Sequence, residues 1–328
     1  MMRIPPQKMT GKKKNNAVYT GDPERSLNDT VLLIDKREGF TSFDTVKEAR
    51  KLCGVRKMGH CGTLDKFATG LLVVCAGRAT RLATYLVHGE KAYQAEIKLG
   101  MVTDTGDREG LVVSTTPVKG ITEERLREAL SFFQGEITQV PPVYSALKIE
   151  GTRASDLVRQ GREVSLKERK VTVSEIRLTA FNRETSLLSL EVRCSKGTYI
   201  RSLARDLGEA LGTGAYVEKL RRTGSGVFAV DDAVTTEELG QYLSGENVPR
   251  PFIIKPSRAM SAYSACVVGP EARVKARNGA LFGRDEVVSL TFKEEKKFII
   301  LDTEENLIAI ADIDTDKWHI NYDCVLNV

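Results

Sequence analysis

Two stretches of the chain bring together residue types that can do chemistry. The first runs Gly59-His60-Cys61-Gly62-Thr63-Leu64-Asp65-Lys66-Phe67-Ala68-Thr69-Gly70. It sets a carboxylate on a glycine-framed loop directly before an apolar run. A strand in that run would hold the loop residue in place, and the glycines let a second backbone come close. A carboxylate held this way can attack carbon, or it can take a proton and balance positive charge. Aspartate beside glycine is also a common turn former, so this stretch alone leaves both readings open. The second stretch runs Arg193-Cys194-Ser195-Lys196-Gly197-Thr198-Tyr199-Ile200-Arg201-Ser202-Leu203. A strand ends at Lys196-Gly197 and a helix starts near Tyr199, which puts Arg201 in the first helical turn. The helix dipole disfavours a cation there. An anionic partner, Asp65 or a phosphate, would offset that; a solvent-facing arginine is the other reading.

The elements that must position these residues can be read from patterning. Residues 31–34 form a short apolar, β-branched strand, and Ser42 and Asp44 are placed to cap a helix over 45–52. Residues 71–76 are a continuous apolar run, read as a buried strand ended by Gly77. Residues 79–88 read as helix, and 93–99 alternate with period two. Residues 103–110 form a polar turn, 121–133 have helical spacing, and Pro141-Pro142 keep 140–143 extended or looped. Strands at 170–179 and 187–193 precede a helix over 199–211 that Gly212 and Gly214 stop. A short strand follows near 227–230. Strands and helices do not alternate regularly, which predicts an α+β fold with a mixed or antiparallel sheet. The glycines and prolines of 239–260 read as a linker. Beyond it, short strands at 265–268, 286–292, 297–302 and 307–312 predict a small β-rich domain. The expected organisation is a basic, disordered extension over 1–28, a main domain over 29–250 and the β-rich domain over 251–328.

Composition narrows the function classes. The chain has 328 residues, 41% of them hydrophobic, enough for a sizeable core. The net charge of +5 fits an anionic partner without demanding one. The six cysteines are scattered and form no C-x-x-C pair, the pattern of free thiols rather than a disulfide scaffold. His60, His88 and His319 are the three histidines and lack local ligand spacing, so no metal is expected. No P-loop or dinucleotide fingerprint occurs. No apolar run reaches transmembrane length, and the start lacks the apolar stretch of a secretory signal, so a cytoplasmic protein is expected. Residues 1–20 carry five basic side chains and no acidic one. They read as a solvated extension or as an arm that touches RNA phosphates.

Together the two stretches resemble the TruB family of tRNA pseudouridine-55 synthases, in its bacterial stand-alone form. That family shows a G-H-x-G-x-L-D loop, a K-x-Y strand and a C-S-x-G-T-Y-I-R-x-L helix start, matched here at 59–65, 91–93 and 194–203. Further similar segments are Tyr144-Ser145-Ala146-Leu147-Lys148, Arg159-Gln160-Gly161, Gly212-Thr213-Gly214-Ala215 and Leu220-Arg221-Arg222-Thr223. The resemblance spans residues 31–230; the C-terminal part is similar to the family's PUA-type RNA-binding domain, with Asn278-Gly279 as a turn. The chain departs from the pattern where Lys36-Arg37 replaces Lys-Pro, Asp65-Lys66 replaces Asp-Pro and Cys61 replaces a frequent threonine. The lost prolines predict freer loops.

The resemblance implies isomerisation of the T-loop uridine of tRNA. The C1′–N1 bond breaks, the uracil turns, and C1′ rejoins at C5. No group is lost and no redox change occurs, so no cofactor is implied. Asp65 would be the catalytic carboxylate, with attack on the base, attack at C1′ and a glycal route all open. Burial would raise its pKa and Arg201 would lower it, so an Arg201–Asp65 ion pair that keeps it charged is expected. The uridine must first be flipped out of its stack. By resemblance Tyr93 stacks on the uracil and takes part in removing the C5 proton, Ile200 packs on the other face, Tyr199 joins the substrate-binding set, and His60 fills the gap left in the RNA. Lys36, Lys148, Arg159 and Arg162 are expected to contact phosphates. The expected partner is the tRNA T-stem-loop, without a guide RNA, and the expected state is a monomer, because one chain supplies every part. Two other readings are a guide-RNA-dependent synthase of the dyskerin type and a non-catalytic tRNA chaperone. The long 101–169 stretch favours the stand-alone type. A chaperone would not need Asp65, Tyr93 and Arg201 together.

Overall fold

The computed structural model describes residues 27–326 apart from Ala146, Glu150 and Arg250. The basic extension, up to residue 26, lies outside the described residues.

Ten strands build one mixed sheet. Along its main path the order is Ile253–Ile254, Val31–Lys36, Thr69–Ala76, Ala215–Ser225, Lys91–Leu99, Leu187–Cys194, Arg169–Asn182 and Gly135–Gln139. Met58–His60 pairs with Thr69–Ala76, and Phe228–Ala229 with Ala215–Ser225. Neighbours are antiparallel except at one place, where Thr69–Ala76 and Ala215–Ser225 run parallel with Arg222 beside Gly70. That exception sets the strand leaving the Asp65 loop against the strand that carries Arg222. Gly70 has φ +100°, and a Cβ there would lie 2.3 Å from the Arg222 carbonyl oxygen, so the pair closes only over glycine.

The apolar run of 71–76 is buried throughout, as a central strand covered on both faces requires. In Lys91–Leu99 the residues Ala95, Ile97 and Leu99 face inward, matching the period-two pattern. The first helix, Ser42–Cys53, is capped by Thr41 rather than by Ser42 or Asp44: Thr41 accepts from the Asp44 amide, and Asp44 accepts from Thr41 in return. Residues 79–88 are only a tight turn, Gly77–Leu82, and a one-turn helix, Ala83–Leu86. The eleven-residue strand Ala215–Ser225 escaped the sequence reading because of a register shift between Val217 and Lys219. That shift breaks its alternation.

The segment read as a linker is packed structure. It contains the helix Thr236–Leu243, the edge strand Ile253–Ile254 paired with Val31 and Leu32, and the fully buried Leu239, Phe252 and Met260. Its prolines mark element boundaries: Pro256 opens the short helix Pro256–Ala259. The C-terminal sheet has five strands, ordered Val287–Thr291, Tyr263–Val268, Glu295–Leu301, Leu307–Asp314 and His319–Val325. A helix not anticipated, Pro270–Arg277, buries Ala272 and Ala276 among its side chains. Asn278-Gly279 forms a turn, the one that ends that helix. Ile299, Leu301, Leu307, Ile310 and Leu326 lie in the same buried cluster as the first sheet's Val31 to Ile34, so the β-rich part shares a core with the larger one. No helix among the described residues is long and apolar enough to cross a membrane.

Candidate active site

Asp65 sits on the loop between Met58–His60 and Thr69–Ala76. Five bonds fix that loop. Ser42 Oγ accepts from the Leu64 amide at 2.8 Å and donates to the Leu64 carbonyl at 3.2 Å. The Lys66 carbonyl accepts from the Gly39 amide at 3.0 Å and from Lys36 Nζ at 3.3 Å. The Gly62 carbonyl accepts from Arg222 Nη2 at 3.2 Å. The loops that lack the family's prolines are therefore tied by other means. Arg37 bonds to Glu237, pairs with Glu48 at 3.2 Å and stacks over Phe40.

The second stretch ends in the helix Ile200–Leu211. A clamp from buried Gln139 sets its start: Oε1 accepts from the Tyr199 amide at 3.1 Å, and Nε2 donates to the Tyr199 carbonyl at 3.3 Å. Ser202 adds a 2.8 Å bond to the Val140 carbonyl. This fixes Arg201, which is almost fully buried. Its Nε lies 2.9 Å from Asp65 Oδ2, and Nη2 donates to Asp65 Oδ1 at 3.0 Å. The remaining fork donates at 2.9 Å to the carbonyls of Thr105 and Tyr144. The expected ion pair is present. A second carboxylate, Asp107, stands 3.5 Å from Nη1. Sequence reading had placed Asp107 in a plain polar turn. It does order that turn, accepting from the Thr105 hydroxyl at 2.7 Å and the Glu109 amide at 3.0 Å.

Asp65 lies on the floor of a cleft of about 230 Å³ lined also by Tyr93, Ser145, Tyr199, Ile200, Arg201, Leu220 and Arg222. That is smaller than a drug-sized pocket and suits one planar ring. The Asp65 side chain is 35% exposed because the cleft opens to solvent, yet protein surrounds the carboxylate on its other sides. Burial pushes its pKa above the ordinary carboxylate value; Arg201 opposes the rise, Asp107 adds to it, and Lys36 opposes it again. Tyr93 forms one wall. Burial pushes its hydroxyl up, with the charge of nearby Arg222 pulling the other way. The phenol is therefore neutral at neutral pH, a ring to stack on and a hydroxyl able to donate.

The cleft gathers Asp65, Tyr93, Tyr199, Ile200 and Arg201 from distant segments. His60 is not among its lining residues. Its ring is half-buried, and its Nδ1 makes no hydrogen bond among the described residues. Lys36 requires a correction. It is fully buried, and its ammonium donates to the carbonyls of Arg37 at 3.0 Å, Phe40 at 2.6 Å and Lys66 at 3.3 Å. A lysine spent on three carbonyls beneath the surface holds a loop and cannot meet a phosphate. Arg159 and Arg162 are exposed, Arg159 with a loose 3.4 Å pair to Asp156. The Lys148 side chain lies outside the described atoms. Two buried cations at the cleft were given no role by sequence reading. Lys91 is buried, bonds to the carbonyls of Val87 and Gly89, and is held at a pKa of about 8 by burial. Arg222 is buried as well. Their signal was present in the K-x-Y and Leu-Arg-Arg-Thr segments, but neither shows from sequence whether a cation points in or out. Among the described residues no group of His, Cys, Asp and Glu is clustered to hold a metal ion.

The mixed sheet with its β-rich C-terminal part thus holds an arginine-paired aspartate at a cleft of single-ring size. Comparison with known proteins supplies the family. Residues 50–200 match the model of the TruB family pseudouridylate synthase N-terminal domain, and 201–253 that of the tRNA pseudouridylate synthase B C-terminal domain. A protein of Clostridium kluyveri described as tRNA pseudouridine synthase B is 43% identical over 81% of this chain and 90% of its own length. One of Clostridioides difficile with the same description is 34% identical over 86% and 93%. The chain belongs to the TruB family of pseudouridylate synthases. Solved structures of similar fold include a Cbf5-Nop10-Gar1 complex, with TM-score 0.72 and 23% identity over 96% of this chain and 92% of that one. An archaeal box H/ACA Nop10-Cbf5 complex has TM-score 0.70 and 24% identity over 97% and 93%. These two support the α+β fold with a β-rich C-terminal part.

Proposed function

We propose that the chain converts the uridine at position 55 of the tRNA T-loop to pseudouridine, with Asp65 as the reacting carboxylate. The observation that carries this reading is the Asp65–Arg201 pair at the floor of a one-base cleft. The shared description of the relatives as tRNA pseudouridine synthase B points to the same substrate. A flipped uridine would place its base against Tyr93, with Ile200 and Leu220 as apolar neighbours. Arg201 keeps a charged Asp65 available against the pull of burial. The reaction breaks C1′–N1, forms C1′–C5, moves the C5 proton off carbon and returns a proton to N1, so atoms balance within the substrate and solvent. Tyr93 contributes the stacking face, and its part in removing the C5 proton is read out by Tyr93→Phe, which keeps the ring and loses the hydroxyl. Arg159 and Arg162 are exposed cations suited to phosphates, and the C-terminal sheet is a second RNA-binding part of PUA type. His60 occupies the space the base vacates. One chain holds the whole cleft, so the enzyme acts as a monomer in the cytoplasm, without guide RNA.

The test is pseudouridine formation in unmodified tRNA and in the isolated T-stem-loop, with purified protein and no guide RNA, run beside Asp65→Ala. Conversion at the T-loop uridine by wild type alone is the expected result. Tight binding with no conversion would transfer the reading to a guide-dependent synthase or a chaperone.

A further inference from the structure

Arg222 is 1% exposed, and no carboxylate pairs with it among the described residues. Buried charge without a counter-ion is costly, and each donor left unmet adds to the cost. Its neighbour on the strand behaves differently. Arg221 forms a two-point pair with Asp35, at 3.0 and 2.6 Å, toward the half-exposed side. Arg222 turns inward. Its Nε donates to the Leu71 carbonyl at 2.7 Å and its Nη2 to the Gly62 carbonyl at 3.2 Å. Across the antiparallel pair it lies opposite Tyr93, and both side chains line the cleft. One rigid fork thus ties the strand that leaves the Asp65 loop to the loop itself, beside the aromatic wall.

We propose that Arg222 is a positioning residue that holds the loop carrying Asp65 in register with the Tyr93 wall of the cleft. This rests on the reading of Asp65 and Tyr93 as the residues that meet the base. The planar guanidinium is what makes the tie: it has donors in fixed directions, where a lysine ammonium offers a point charge. Carbonyls fix both of its bonded donors, so the loop cannot drift from the strand without breaking a buried bond. Misplacement of about 1 Å in such a site can lower a rate about 100-fold.

Arg222→Lys keeps the charge and loses the fork. The expected result is a single-turnover rate about 100-fold lower, with T-stem-loop affinity unchanged. Amide exchange over residues 61–66 should quicken in the same variant. Full turnover in Arg222→Lys, or unchanged exchange of the loop, would overturn the proposal. If Arg222→Lys does not fold, Arg222→Gln, which keeps one planar donor, is read by the same exchange: a faster loop supports the tie, and an unchanged one removes it. If Asp65→Ala keeps turnover, the reading of the site fails, and the exchange result still reports on Arg222 by itself.

Discussion

Asp107 Oδ2 lies 3.5 Å from Nη1 of Arg201, so the arginine that pairs with Asp65 is shared with a second buried carboxylate. The sharing has a direction. Each negative charge near Asp65 makes its ionisation harder, and Asp107 is a named cause of the raised Asp65 pKa. It also draws on the cation that opposes the rise. The protein thus holds its reacting carboxylate nearer to neutrality than Arg201 alone would.

Replacing Asp107 by Asn keeps an oxygen for the Thr105 hydroxyl and the Glu109 amide and removes the charge. The Asp65 pKa should fall. Activity that needs ionised Asp65 should then persist to lower pH, with the acid limb of the single-turnover profile displaced downward. An acid limb that stays in place would show that the limb belongs to another group.

Asp65→Asn should abolish turnover, by about 1,000-fold or more, while T-stem-loop binding remains. It should also change stability in a pH-dependent way. A carboxyl whose folded pKa is raised contributes stability below its unfolded value and loses it as pH rises through the folded value. Relative to wild type, Asp65→Asn should therefore gain stability between acid and neutral pH. Denaturant midpoints at several pH values read this directly; a difference that is flat with pH would contradict the raised pKa.

Much of the fold was legible because burial leaves a pattern. The run 71–76 and the alternation of 93–99 gave strands at the right places, and Gly212 ended the helix where expected. Patterns failed where a local irregularity intervened. The shift between Val217 and Lys219 hid a central strand, and prolines at element boundaries made packed segments near Phe252 look like a linker. The site divides in the same way. Asp65 and Arg201 were readable only through the family resemblance, since each segment alone left a turn-forming aspartate and a solvent-facing arginine open. Lys36, Lys91 and Arg222 were not, since a basic residue gives no sign of whether it faces water or a ring of carbonyls. Lys36 was misassigned for that reason.

Phe252 bears on how the β-rich part is joined. It is fully buried, the Leu33 amide donates to its carbonyl at 2.9 Å, and its ring meets Tyr242 edge-on at 5.4 Å. Phe252→Ala should cost about 3–5 kcal/mol. Because the buried cluster is continuous into Ile299 and Leu307, the loss should appear in one cooperative transition for both parts. Two separated transitions in wild-type calorimetry would contradict the shared core.

Lys36 and the exposed arginines make opposite predictions about salt. Arg159→Gln and Arg162→Gln should each reduce the slope of log affinity against log salt by roughly 0.7–0.9, with the rate from bound RNA unchanged. Lys36→Met should leave that slope alone, because its ammonium faces three carbonyls. Its signature lies in stability. Burial holds the Lys36 pKa at about 8, below the ordinary lysine value of 10.5. A depressed group contributes stability above its unfolded pKa and loses it as pH falls through the folded one. Wild type should therefore gain stability from pH 8 upward, by at most about 3 kcal/mol from this group across the whole window. Lys91, also held at about 8, adds in the same sense. Lys36→Met should be less stable throughout, having taken a donor from three carbonyls, but its gain between pH 8 and 9.5 should be smaller than that of wild type. Urea midpoints at the two pH values distinguish the cases: an equal gain in both proteins would mean that Lys36 is not the group titrating, and a reduced salt slope in Lys36→Met would return it to the RNA-facing surface.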